Sequence, residues 1–163
     1  MRGRMTRGVW LLAVLAVILA VAAVALYVRL YRADQRTGDA VRAEVAQVAA
    51  DGAAALLSYT PETVAADMYA ATQRLTGDFR EYYSRLTDAT IVPTARAEKI
   101  TTTATAVDSG IGSLSADRAD ALVFLKQVTS TEATPDPVTA TVGARVSLTS
   151  VDGEWLISGL EIS

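Results

Sequence analysis

Apolar residues run without interruption from Val9 to Val28, VWLLAVLAVILAVAAVALYV, with no charge, glycine or proline among them. A helix rises about 1.5 Å per residue, so this run reaches about 30 Å, the hydrocarbon thickness of a bilayer. Trp10 lies near one end and Tyr27 and Tyr31 at the other, where amphipathic rings favour the headgroup layer. The pattern predicts a transmembrane helix over 9–28, a cytoplasmic tail over 1–8, and a stalk or helix extension over 29–39. A cleaved signal peptide is the rival reading, because Ala23-Val24-Ala25 has a small-x-small form. The apolar run outlasts the roughly 7–15 residues of a signal core, which favours the anchor. A short N-terminal tail is most simply retained inside, leaving the rest of the chain extracytoplasmic.

Beyond the stalk the apolar period is first helical. Val41, Val45, Val48, Ala49 and Leu56 suit an Ala-rich helix over 40–57 that Gly52 weakens without ending. Thr60-Pro61-Glu62 reads as N-cap, first helical position and first-turn acid, and Val64, Met68, Ala71 and Leu75 follow on one face. Thr76-Gly77-Asp78 breaks and recaps the chain. Phe79, Tyr82, Tyr83 and Leu86 then form an aromatic stripe at helical spacing, Pro93 interrupts, and a short helical piece runs to about Lys99.

After Lys99 the period falls to two, the signature of half-buried strands. Strands are predicted over 100–107, 120–129 and 138–148, with Ser113–Arg118 and Thr134–Pro137 as loops. In the third, Val138, Ala140, Val142, Ala144, Val146 and Leu148 share one face. Asp152-Gly153 signals a type I′ hairpin into a last strand over 154–162. Helices followed by an antiparallel meander give an α+β domain over 40–163, about three helices packed on a curved four-stranded sheet.

Charge narrows the partners. The part after residue 32 holds ten Lys and Arg against eighteen Asp and Glu, a formal charge of −8. Nucleic acid needs a basic face, so it is not expected as a partner. The chain has neither His nor Cys, which removes imidazole bases, thiol chemistry, disulfides and the usual zinc ligand sets. No metal or cofactor is expected, and the acidic positions lack calcium-loop spacing.

The helix–helix–helix–meander order resembles the nuclear-transport-factor-2-like cone fold. Ser58-Tyr59, Leu75-Thr76-Gly77-Asp78-Phe79, Tyr83, Lys99 to Val107, Ser115 to Ala119 and Val151 to Ser158 resemble, in order, the Mce-associated membrane protein family. That resemblance implies an accessory protein for mammalian-cell-entry (Mce) lipid importers in actinobacterial envelopes, with no catalytic motif to carry over.

The expected function is therefore a non-enzymatic, single-pass accessory subunit of the plasma membrane, partnered by subunits of a transport complex. A structural subunit of a type IV secretion-like conjugation channel and a lipid-binding cone are the alternatives. Tyr69, Phe79, Tyr82, Tyr83 and Trp155 are the candidates for lining a cone or filling the core. Asp67, Asp78 and Asp88 with Tyr82 or Tyr83 would supply a carboxylate base and a phenol donor, the ketosteroid isomerase pattern that serves as a standard case of such pairing. Their polar-face and cap positions argue against that use.

Overall fold

The computed structural model describes residues 38–163; the anchor expected over 9–28, the tail over 1–8 and all but the end of the stalk lie outside them. Among the described residues no helix is long and apolar enough to cross a membrane. Helix α1 covers 38–56, and Val45, Ala49, Ala53 and Leu56 form its buried face. Gly52 lies on that face: a Cβ there would overlap Cδ1 of Ile157, so the glycine permits close packing of helix on sheet. The chain leaving α1 is tied to the sheet at once. Ser58 Oγ donates to the Ala54 carbonyl at 2.7 Å and accepts the Ala104 N–H at 2.9 Å. Tyr59 and Thr102 exchange two backbone hydrogen bonds of 2.9 Å.

Helix α2, Val64–Thr72, begins later than the Thr60 cap implies. Thr60 Oγ1 does accept the Thr63 N–H at 3.3 Å, but residues 61–63 form a turn before the regular ladder starts. Val64, Met68, Ala71 and Leu75 are all buried as the spacing predicts. Leu75 sits past the helix end, in a parallel bridge with Ile157.

Helix α3, Gly77–Leu86, runs directly into a π-helical turn, Thr87–Ile91, and then into α4, Val92–Ala97. Pro93 therefore does not interrupt the helix. Proline lacks an N–H and its ring crowds the carbonyl four residues back. The π turn widens the helix immediately before it, with the Val92 N–H reaching the Thr87 carbonyl. Counted as continuous bodies, the helices among the described residues are three: α1, α2 and the α3–π–α4 rod. Lys99 closes the rod with φ +51, and the Ile100 N–H returns to the Ala95 carbonyl at 2.9 Å.

Strands β1 (Thr101–Leu114), β2 (Arg118–Ser130), β3 (Val138–Val151) and β4 (Glu154–Ile162) form an antiparallel meander in sequence order. β1 extends well past the predicted end at Val107. Its additional residues, rich in Gly and Ser, pair with β2 across irregularities at Ala106/Asp108 and Ile111/Ser113. Ala119, Ala121, Val123 and Leu125 of β2 face the helices, together with Ala144, Val146 and Leu148 of β3 and Ile157 of β4. The bulkier Leu122 and Phe124 face the other way. Small inward residues let the Ala-rich face of α1 approach closely, so fit outranks side-chain size here. Val138 and Ala140 share the inward face by register yet are exposed. The architecture is an α+β cone of the nuclear-transport-factor-2-like type.

Candidate functional site

Tyr83 is the aromatic that the fold holds most firmly. Helix α3 points it inward, where its hydroxyl donates to the Leu56 carbonyl at 2.6 Å and lies 3.5 Å from the Met68 sulfur. Burial pushes its phenol well above the ordinary tyrosine value, and Tyr59 nearby raises it further. Phe79 packs one turn before it, ring centroids 6.0 Å apart. Tyr69 and Tyr82 are not core residues: they are 70% and 55% exposed. Their helices turn these two positions outward, Tyr82 by one residue from Tyr83 and Tyr69 by one from Met68. Trp155, half-buried at the start of β4, lines a surface groove of about 690 Å³ with Glu44, Val48, Arg74 and Asp152.

The inward sheet face under α1 is filled by protein: Val45, Ala49, Ala53, Val123, Leu125, Val146 and Ile157 have no measurable exposure. An acyl chain would have to displace that packing to lie there.

Carboxylates and phenols are not brought together. Asp67 accepts the Thr63 hydroxyl at 2.5 Å, and Asp78 is a first-turn acid of α3. Asp88 borders a small cavity of about 180 Å³ between α2 and the π turn, shared with Met68, Tyr69, Thr72 and Val92. No hydrogen bond joins any of the three to Tyr82 or Tyr83 among the described residues. The Thr87 hydroxyl on the same cavity is buried without a partner. Sequence reasoning passed over Thr87, because its burial depends on the π turn and nothing local announces a π turn.

No described helix covers the other face of the sheet, and no local sequence signal marks that face. Register places Leu122 beside Arg145, Arg145 beside Glu161, and Phe124 between Asp108 and Gly143. Leu122 and Phe124 are exposed at 44% and 41%. Asp120, Leu122, Arg145, Ser147 and Glu161 line an open groove of about 480 Å³ on this side. Asp120 accepts hydrogen bonds from Ser113 and Ser147, each at 2.8 Å, so one β2 carboxylate clips β1 and β3. Those bonds hold its pKa below the ordinary carboxylate value, with Arg145 adding to the effect. A carboxylate so stabilised is a poor general base. The face offers an apolar centre rimmed by charges of both signs, a composition suited to contact with another surface.

No protein-family model matches the chain. It is 42% identical over 126 residues to Outer membrane protein Rv1973 of Mycobacterium tuberculosis, covering 77% of this chain and 78% of that one. It is also 42% identical over 134 residues to Uncharacterized protein Rv1362c of the same organism, covering 82% of this chain. The match spans 60% of that longer relative. Among solved structures it resembles an IcmL-like type IV secretion system protein from Legionella pneumophila, TM-score 0.63 at 13% identity, covering 75% of this chain and 91% of that one. The periplasmic domain of DotI (0.57, 16% identity) covers 73% of this chain and 92% of its own. A periplasmic fragment of TraM (0.57, 10% identity) covers 71% and 92%. At these identities the structural likeness establishes the fold.

Proposed function

Because the chain belongs to the family of the mycobacterial Outer membrane protein Rv1973, we propose that it is a non-enzymatic envelope protein that serves as a structural subunit of a multiprotein membrane assembly. The filled interior of the cone carries this reading: with α1 packed on the sheet, the surface of the fold is what remains for function. In the proposal, residues 9–28 anchor the chain in the plasma membrane with residues 1–8 cytoplasmic, and the domain over 40–163 stands on the extracytoplasmic side. The helix-free face around Leu122 and Phe124 docks neighbouring subunits. Confinement to the membrane plane raises the local concentration of the domain near them, so a modest contact suffices.

Three fold neighbours described as a type IV secretion system protein or as periplasmic pieces support a secretion-channel-like assembly as the setting. The Mce lipid importer is the second setting, supported by the segments that resemble Mce-associated proteins. Affinity purification of the tagged full chain from detergent-solubilised envelopes tests both. Recovery of secretion-channel subunits supports the first and recovery of Mce subunits the second. In either case Leu122→Asp is expected to reduce recovery. Purification of the chain free of any membrane subunit would overturn the proposal.

A further inference from the structure

The sheet is edged by β1 and β4, and β4 leaves part of β3 without a neighbour. β1 is capped where Tyr59 and Ser58 bond to Thr102 and Ala104, and further along it carries two irregularities and the charge of Asp108. Capping, bulges and charge are the ordinary means by which an edge strand is kept from pairing with another chain. β3 is covered on its outer side only from Val151 down to Gly143, where the Ser163 N–H bonds the Gly143 carbonyl at 2.9 Å. From Val138 to Val142 it pairs with β2 on one side, and no described residue pairs with it on the other. This open stretch carries no charge and no proline, and Val138, Thr139, Ala140 and Thr141 are exposed.

The open stretch reads Val-Thr-Ala-Thr-Val, a palindrome about Ala140. We infer that β3 pairs antiparallel with the same stretch of a second copy of this chain, across a two-fold axis at Ala140. In that register Val138 meets Val142 and Thr139 meets Thr141, pairings of β-branched residues that stabilise a sheet. Every contact is then isologous, as a closed two-fold dimer requires. The second copy's β3 enters the lane that β4 vacates, running in the same direction as β4. Its Val138 arrives on the inward face beside Ile162, and these aliphatics are 58% and 55% exposed in the single chain. The ladder ends at the Val142–Val138 pair: Ser163 already holds the position opposite Gly143, with its N–H on the Gly143 carbonyl, so Pro137 of the second copy, which has no N–H to offer, has to leave the lane there. The two sheets become one of eight strands, with both helix-free faces on the same side.

The absence of native cysteine makes the test direct. In an antiparallel pair, residues directly opposite have Cα atoms about 4.5 or 5.5 Å apart, inside the roughly 4.4–6.8 Å that a disulfide spans. The full chain carrying Ala140→Cys is expected to give a disulfide-linked dimer on mild oxidation in envelope membranes. The same chain carrying Arg85→Cys, on the exposed side of α3, is not. Equal cross-linking from both positions would mean collision and overturn the inference. Two differently tagged copies provide the second arm. Ala140→Asp in both copies sets like charges opposite each other and is expected to lower co-precipitation by about tenfold. Pairing Ala140→Asp with Ala140→Lys is expected to restore it. Undiminished recovery from the Asp pair, or no recovery from the mixed pair, would overturn the two-fold register.

Discussion

Single atoms decide how the helices meet. The Tyr83 hydroxyl satisfies the Leu56 carbonyl near the end of α1, joining two helices and the Met68 sulfur of a third. Tyr83→Phe keeps the ring and strands that carbonyl, so the domain is expected to lose about 1–2 kcal/mol, read from the urea midpoint. The pH dependence has a definite sign. The folded phenol titrates above its unfolded value, so its contribution is full below about pH 10 and declines as the unfolded chain ionises. The gap between the natural protein and Tyr83→Phe is therefore expected to narrow above that pH. An unchanged gap at alkaline pH would place the hydroxyl in water. Gly52 shows the complementary case, a residue whose lack of a side chain is itself the contact.

At the scale of elements, the joints carry the specificity. Ser58-Tyr59 stitches the α1 exit to β1, Leu75 bridges to Ile157, Lys99 closes the helical rod, and Asp152-Gly153 turns β3 into β4. Asp152 and Gly153 have φ +52 and +87, the type I′ geometry expected from their dipeptide. Gly153→Val forces a β-branched residue into that region and is expected to cost about 1–2 kcal/mol; an unaltered urea midpoint would contradict the drawn turn. The Asp120 clip across β1, β2 and β3 gives a second expectation. A folded pKa below the unfolded value stabilises above about pH 4, and the effect is lost as pH falls through the folded value. Asp120→Asn is thus expected to be slightly less stable at pH 7 and to converge with the natural protein in acid. The effect is small because the carboxylate is solvent-exposed and screened. A gap that persists at the lowest pH would assign it to the hydroxyl geometry rather than to charge.

For the whole molecule, attachment and surface are the two proposed requirements. Replacing Val9–Val28 with an unrelated single-pass helix is expected to preserve recovery of the partner complex, because confinement is restored. Releasing the domain as a secreted fragment is expected to lower it. Fold-neutral changes at Asp67, Asp78, Asp88 or Tyr82 are expected to leave it intact, since no chemistry is assigned to them. Loss of function from a fold-neutral Asp→Asn change, with partner levels normal, would replace the scaffold by an enzyme or lipid site.

Period and punctuation determine much of this protein from the sequence alone. A shift from 3.6 to 2 near Lys99 separates helices from strands, and Asp152-Gly153 sets the last hairpin, because these signals are local and act through backbone geometry. What neighbours do across space is decided only by the tertiary structure. Pro93 stays within a helix because a π turn precedes it. Leu122 and Phe124 face outward because α1 fits closely over smaller residues. Val138 is bare, though its register points it inward. Alternation specifies which side chains share a face; only the packed helices decide which face, and how much of it, leaves water.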